Sequence, residues 1–143
     1  MTAELNVQLD LVNDRIEAGM AWLDVHVPDW WLDVNAHALA INDGERCVLG
    51  QLAARNKALQ GSLEAYAAEV FLLRPSGYQL MAGLFDLGWD EPRNLGFLGS
   101  DLLTGEEYGI YTNALEARWF TVIIGRQAAR LLPGMAKRDL ALA

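Results

Sequence analysis

Apolar residues recur at helical spacing near the start of the chain, and a proline then ends the pattern. At about 100° per residue they fall within a stripe roughly 80° wide, which is typical of a helix, whereas a strand would alternate with a period of two. We therefore predict one helix over residues 4–26. It should end between Val25 and Val27, because the residue before Pro28 is disfavoured in the α-helical conformation. The stripe consists of Leu5, Leu9, Val12, Ile16, Met20 and Leu23.

A second apolar row runs along another side of the same predicted helix. It consists of Val7, Leu11, Ala18, Trp22 and Val25. A helix with two apolar sides is packed on both of them, so this helix is either central in the domain or shared with a second copy of the chain in a homodimer. Gly19 lowers helix stability by about 1 kcal/mol relative to alanine, and we expect it to allow another helix to approach closely.

Acidic residues occupy the neighbouring side of this helix, and we call them the acidic face. Its members are Asp10, Asp14, Glu17 and Asp24. The net charge of the chain is -8, and the whole excess lies in residues 1–45, which hold nine acidic residues against one arginine. Because no basic patch stands out, we expect no direct binding to nucleic acid or to an anionic membrane. The acidic face either meets a basic surface of a partner protein or is simply solvated.

The paired tryptophans that follow Pro28 are the second candidate for a partner surface. We predict a short helix with Pro28 in its first turn. Neighbouring residues on a helix diverge by about 100°, so we expect one of Trp30 and Trp31 in the core and the other partly exposed. The alternative is that both pack under neighbouring helices. Tryptophan is enriched at binding hot spots, so an exposed one would support an interaction role.

The remainder of the chain predicts an all-α fold, a compact single-domain helical bundle of about five to six helices. Residues 35–41 are ambiguous and permit one short strand pair. We assign residues 1–134 to the domain and residues 135–143 to a loose tail, because Pro133 and Gly134 should end the last helix. Trp22 and Trp119 are the large side chains that we expect in the core. Further helices are predicted at residues 45–59, 63–73 and 78–87, and from Ser100 or Thr104 to about Leu132. Ser62 is the predicted N-cap of the second of these helices, and Gly88 is the predicted glycine after the third. Thr104 with Glu107 forms a predicted capping box for the last.

The longest irregular stretch is 88–100, GWDEPRNLGFLGS. Loops of this length are often functional, or are fixed by their own aromatic side chains. Asp90, Glu91 and Arg93 lie within it, and near a pocket they would support an enzyme or a ligand-binding protein.

The sequence predicts no catalytic residue, no cofactor and no metal site. His26, His37 and the single Cys47 are too few for a cysteine-rich zinc site. Cys47 lies on an apolar helix face, where a thiol is usually buried and inert. One cysteine cannot form an internal disulfide, and we find neither a signal peptide nor a run of about 18 apolar residues. We therefore expect a cytoplasmic protein.

Four segments of the chain resemble small uncharacterised proteins of actinobacteria and of the phages that infect them. These segments are RIEAGMAWLD, PDWW, CVLGQL and YTNALEARWFTVI. The resemblance implies a host-directed accessory role and carries over no catalytic residue. The matching positions are Arg15, Ile16, Gly19, Leu23, Asp24, Pro28, Trp30, Cys47, Leu49, Gly50, Gln51, Leu52, Leu115 and Trp119.

Three functional hypotheses follow from these patterns. The first is a small non-enzymatic interaction protein that binds a partner protein through Asp10, Asp14, Glu17, Asp24, Trp30 and Trp31. The second is an acidic mimic of DNA, in which carboxylates on a rigid helix occupy the positions of phosphates in a nucleic-acid-binding or defence protein. The third is a small enzyme or ligand-binding protein that uses the 88–100 loop.

Overall fold

The computed structural model describes residues 2–70 and 74–131, and in that part of the chain it consists of α-helices and 3₁₀ turns without any strand. The all-α prediction is confirmed, and the alternative of a short strand pair is not realised in these ranges. The α-helices are α1 (Ala3–Asp10), α2 (Val12–His26), α3 (Val48–Arg55), α4 (Gln60–Glu69), α5 (Gly77–Leu84), the single turn α6 (Glu91–Asn94) and α7 (Gly105–Leu131).

The helices form two groups around one hydrophobic core. Helices α1 and α2 pack against α7, while α3 and α4 pack against α5. The 3₁₀ turn Trp30–Asp33 connects the groups, because it contacts both α3 and α7, and the turn Ala36–Ala38 packs on α7. The core extends in sequence from Leu5 to Ile123. Trp119 is fully buried, as predicted.

The predicted first helix is interrupted at Leu11, so residues 4–26 form two helices rather than one. The Leu11 amide donates to the Gln8 carbonyl at 3.1 Å, which is an i→i−3 bond in place of the helical i→i−4 bond. A buried polar cluster spans the interruption. The Arg15 guanidinium donates to Gln8 Oε1 at 2.7 Å and to the Tyr111 hydroxyl of α7 at 2.6 Å.

The end of α2 agrees with the sequence prediction, since the helix stops at His26 and Val27 is its C-cap. Gly19 is a point of close approach, and its neighbours are Leu95, the C-cap of α6, and Trp119 of α7. A Cβ atom at Gly19 would clash with the Leu95 carbonyl oxygen and would lie 3.1 Å from a ring carbon of Trp119.

The second apolar row of α1 and α2 is mostly open to solvent in the described part of the chain. Val7 is 51% exposed and Val25 is 74% exposed, while Leu11 and Trp22 are half-buried. The prediction of a helix packed on both sides is therefore wrong within one chain. Trp22, which was expected in the core, is only partly buried and packs against the edge of the core. The homodimer stays a prediction.

The segment after α2 forms 3₁₀ turns instead of a second α-helix. Pro28 precedes the turn Trp30–Asp33 and does not lie in it, because Asp29 adopts a left-handed conformation with φ 59° and forms the N-cap. Residues 35–41, which the sequence left open, contain the 3₁₀ turn Ala36–Ala38.

Several predicted boundaries around α3 and α4 are wrong. Helix α3 begins only at Val48, where the Cys47 thiol accepts the Gly50 amide at 3.3 Å and forms the N-cap. Ser62 is not an N-cap, because α4 already starts at Gln60. The predicted end of this helix at Leu73 lies outside the described residues.

Helix α5 ends earlier than predicted, and α7 is the long last helix that was expected. Gly88 is not the residue that ends α5, since the C-cap is Phe85. Glu107 does not close a capping box with Thr104, since its carboxylate accepts from the Thr2 amide at 3.1 Å and from the Thr2 hydroxyl at 2.9 Å. Residues 132–143, including the predicted stop and tail, lie outside the described residues. Within the described ranges, no helix combines the length and the apolar character that crossing a membrane requires.

Candidate functional site

Within the described residues, three of the four carboxylates of the acidic face have no intramolecular partner. Asp10, Asp14 and Glu17 are exposed on α1 and α2. Their carboxylates form no hydrogen bond or ion pair with residues 2–70 or 74–131. Whether these three residues meet a basic partner surface stays a prediction.

Asp24, the fourth member, is used within the fold. Its carboxylate accepts two hydrogen bonds from the Arg126 guanidinium of α7, at 2.6 and 3.0 Å, and a third from the Trp30 indole at 3.0 Å. The hydrogen bond from Arg126 is the main cause that lowers the pKa of Asp24, and it also raises the pKa of Arg126. Asp24 is consequently a structural residue that ties α2 to α7.

The predicted tryptophan surface requires a correction. Trp30 is fully buried, with its ring edge-to-face against Trp119 at a centroid distance of 5.8 Å, so it is not available to a partner in this structure. Trp31 is half-buried, and its carbonyl accepts a hydrogen bond from Gln127 at 2.8 Å. The expectation of one core tryptophan and one partly exposed tryptophan is confirmed.

A concave site lies instead at the long loop between α5 and α7. It has a volume of about 540 Å³, which is within the range of small-ligand pockets. We call it the loop pocket. Its lining residues are Tyr78, Leu87, Gly88, Trp89, Asp90, Arg93, Leu98, Gly99 and Asp101.

The side of the loop that faces away from the pocket is held by the core. Gly96 has a φ of 74°, a conformation that favours glycine, and its carbonyl accepts the Trp119 indole N–H at 2.7 Å. The Phe97 ring stacks on Trp119 at 5.7 Å with an interplanar angle of 13°. Leu95 rests on Gly19 of α2. These contacts fix residues 95–97, directly before the lining residues Leu98 and Gly99, against the core.

The polar wall of the loop pocket is a row of three charged side chains. The Arg93 guanidinium donates to Asp101 Oδ1 at 2.7 Å and lies 3.5 Å from Asp90 Oδ1. The Arg93 Nε atom is buried and has no hydrogen-bond partner in the described part of the chain. Burial raises the pKa of the Tyr78 phenol, which keeps its hydroxyl protonated at neutral pH.

The rim of the loop pocket carries the most exposed large apolar side chain in the described residues. Trp89 is 88% exposed and is one of the residues that line the pocket. The sequence predicted Asp90, Glu91 and Arg93 near a pocket. The structure places Asp90 and Arg93 in its lining, whereas Glu91 is not among the lining residues. The sequence prediction missed Trp89, Tyr78 and Asp101. A tryptophan directly after the glycine that follows an apolar helix was the available signal, whereas nothing in the spacing connects Tyr78 with this loop.

We compared the chain with protein-family models, with curated proteins and with solved structures. None of the three comparisons found a match. The resemblance to actinobacterial and phage proteins therefore stays a prediction.

Other reactive side chains lie apart from the loop pocket lining. Burial is the main cause that raises the pKa of the Cys47 thiol to about 11, so the thiol is protonated at neutral pH. His26 packs on the rings of Trp22 and Phe85, while His37 packs on Phe120. Across residues 2–70 and 74–131, no three His, Cys, Asp or Glu side chains are grouped so that they could hold a metal ion.

Proposed function

We propose that the protein is a small non-enzymatic interaction protein whose binding site is the loop pocket. In this proposal the pocket receives a projecting side chain of a partner protein, and Trp89 packs against the bound segment. The proposal keeps the interaction role that the sequence favours and moves the binding site from the Trp30 corner to the 88–100 loop.

The observation that carries the proposal is the exposure of Trp89 on the rim of a cavity. An indole that is 88% exposed leaves a large apolar surface in water, which is unfavourable for the isolated protein. Tryptophan is also among the residues most enriched at the energetic centres of protein interfaces. A partner segment that covers this ring removes its apolar surface from water and so gains binding energy.

The composition of the lining supports binding rather than covalent catalysis. The residues that line the loop pocket include no serine, threonine, cysteine, histidine or lysine. Arg93 is engaged with Asp101 and Asp90, so the charged groups mainly fix each other's positions. Charged side chains that are held in fixed positions can orient a bound ligand through hydrogen bonds and electrostatic attraction.

A displayed library of random peptides, selected on the immobilised protein, tests the proposal. We expect enriched peptides whose binding is lost when Trp89 is changed to alanine. Leu102→Ala is the matched control, because Leu102 is also an exposed apolar residue, at 57%, and does not line the pocket. The proposal would be overturned if the selection enriched no peptide. It would also be overturned if the enriched peptides bound the Trp89→Ala variant as tightly as the parent protein.

A second candidate function uses the acidic face. It is favoured by the three carboxylates of Asp10, Asp14 and Glu17, which are exposed and free of partners in the described part of the chain. In this version a basic surface of a partner protein docks along α1 and α2 by charge complementarity.

Charge reversal tests whether the acidic face binds a partner or is only solvated. The test variant changes Asp10, Asp14 and Glu17 to lysine, and the control changes Glu64, Glu69 and Glu106, three other exposed acids, in the same way. Both variants carry the same net charge. A stoichiometric partner pulled down by the parent and by the control, but not by the test variant, would support the acidic face. Equal recovery with all three proteins would identify it as a solvated face.

A further inference from the structure

We propose that the loop pocket binds an arginine side chain of the partner, with its guanidinium stacked on Trp89 and paired with Asp90 and Asp101. This inference rests on the proposed function and adds the chemistry of the ligand. Three observations support it: the negative charge of the loop, the carboxylate oxygens of Asp90 and Asp101 that accept no hydrogen bond from the described residues, and the apolar residues of the pocket lining.

The loop that forms the pocket is locally acidic, although the last two thirds of the chain are neutral as a whole. Between residues 86 and 101 it holds Asp86, Asp90, Glu91 and Asp101 against the single Arg93. Within the lining itself, two carboxylates face one guanidinium. The lining therefore has one uncompensated negative charge, which one monovalent cation would neutralise.

Two carboxylate oxygens are left for such a cation. Arg93 engages Oδ1 of Asp101 and lies nearest to Oδ1 of Asp90. The Oδ2 atom of each carboxylate forms no hydrogen bond with the described residues. Arg93 thus holds the two aspartates in place and leaves an acceptor on each for a ligand.

The apolar walls match the remainder of an arginine side chain. Leu87, Leu98 and the ring of Tyr78 provide contacts for its three methylene groups. Trp89 offers the face of an indole, which attracts cations more strongly than the other aromatic rings. A planar guanidinium stacks on such a face and is more weakly hydrated than the ammonium of lysine, so arginine suits this site better.

An anionic ligand fits the same walls poorly. Its charge would approach Asp90 and Asp101, and the one guanidinium in the lining already pairs with both of them. Like charges repel, so an anion beside these two carboxylates is disfavoured, although solvent weakens the repulsion because both side chains are 60% exposed.

Nuclear magnetic resonance of the full chain labelled with ¹⁵N tests the inference. The probe is the peptide acetyl-Gly-Leu-Arg-Leu-Gly-amide. Its matched control replaces arginine with citrulline, which has nearly the same shape and no charge. We expect the arginine peptide to shift the Trp89 indole N–H signal and to bind at least about tenfold more tightly than the citrulline peptide. Its binding should also weaken as salt is added.

Variants of the protein test whether the arginine peptide binds at the loop pocket and whether Trp89 and Asp101 both contribute to the preference for arginine. Trp89→Ala and Asp101→Asn should each abolish the preference for arginine over citrulline. Leu102→Ala and Glu64→Gln change an exposed apolar and an exposed acidic residue outside the pocket lining, and both variants should retain the preference. A peptide with lysine in place of arginine should bind more weakly than the arginine peptide.

Three outcomes would overturn the inference: equal binding of the arginine and citrulline peptides, equal binding of the lysine peptide, or a preference for arginine that persists in Asp101→Asn. Each of these is distinguishable from failure of the proposed function. If displayed peptides bind at Trp89 but contain no arginine, the loop pocket is a docking site with another specificity. If no peptide responds to Trp89→Ala, both proposals fail.

Discussion

Asp24 and Arg126 lie 102 residues apart in the sequence and meet in a bidentate ion pair, with N–O distances of 2.6 and 3.0 Å. The same carboxylate also accepts the indole N–H of the buried Trp30. One side chain on α2 thus fixes both the position of α7 and the orientation of a core tryptophan. This relationship places Asp24 among the structural residues of the protein.

Changing Asp24 to alanine should destabilise the fold by about 1–2 kcal/mol. Solvent screens the half-exposed ion pair, so we attribute about 0–1 kcal/mol to it, and the larger part to a Trp30 N–H that loses its acceptor. Urea unfolding at pH 7 measures the change. Asp14→Ala is the control, since Asp14 is exposed and has no partner among the described residues, and this change should shift the free energy by less than about 0.5 kcal/mol.

The effect of Asp24 should depend on pH. Its pKa is lowered in the folded protein, chiefly by the hydrogen bond from Arg126. The stabilisation is therefore fully present above the unfolded-state pKa of about 3.9 and is lost as the pH falls through the lower folded-state pKa. The stability difference between the parent and Asp24→Ala should shrink below about pH 4. A difference that stays constant from pH 7 to pH 2 would contradict this mechanism.

Gly19→Ala and Gly125→Ala should change stability in opposite directions. Alanine is the better helix former at both positions by about 1 kcal/mol. At Gly19, however, the new methyl group would clash with the Leu95 carbonyl oxygen, and such overpacking costs about 1–3 kcal/mol. At Gly125 on α7 the added Cβ meets open space. Urea midpoints should fall for the first variant and rise for the second.

Tyr111→Phe should destabilise the protein more than Tyr108→Phe. The Tyr111 hydroxyl accepts a hydrogen bond from the buried Arg15, and removing an acceptor from a charged donor costs about 1.5–3 kcal/mol. The Tyr108 hydroxyl donates to Asn42 at an exposed site, where the loss should be about 0–1 kcal/mol. Equal losses in thermal or urea unfolding would show that the buried cluster is not important for stability.

Cys47 should resist alkylation in the folded protein. Its side chain is 1% exposed, and desolvation raises its pKa to about 11, so only about one thiol in a thousand is ionised at pH 8. Iodoacetamide at pH 8 should therefore modify Cys47 only at the rate at which the protein opens. The same chain in concentrated urea should react rapidly, which is the control. Fast labelling without denaturant would overturn this prediction.

The sequence was sufficient for the helical class and for the stop at Pro28, because both depend on local rules. Periodicity identifies a helix, and the steric restriction before a proline ends it. The interruption at Leu11 could not be predicted in this way. No proline or glycine marks it, and it accompanies a contact of Arg15 with Tyr111, which is distant in the sequence.

The site was predicted less well than the fold, for a related reason. Of two adjacent tryptophans, periodicity required that one be buried, but only the position of Trp119 decides that it is Trp30. Asp24 belonged to a regular acidic pattern, and its pairing with Arg126 depends on how α2 lies against α7. Asp90 and Arg93 were found because the loop composition itself was unusual. Tyr78 joins them only through tertiary packing.

The loop that carries the pocket is fixed at one end and unconstrained at the other. Gly96 and Phe97 are tied to Trp119, whereas the Trp89 side chain is almost entirely in solvent. In the proposed interaction role, mutations at Trp89 should therefore change the binding specificity with little effect on folding, while mutations at Gly96 or Phe97 would destabilise the whole protein. Under that proposal, binding specificity can evolve while the scaffold stays unchanged.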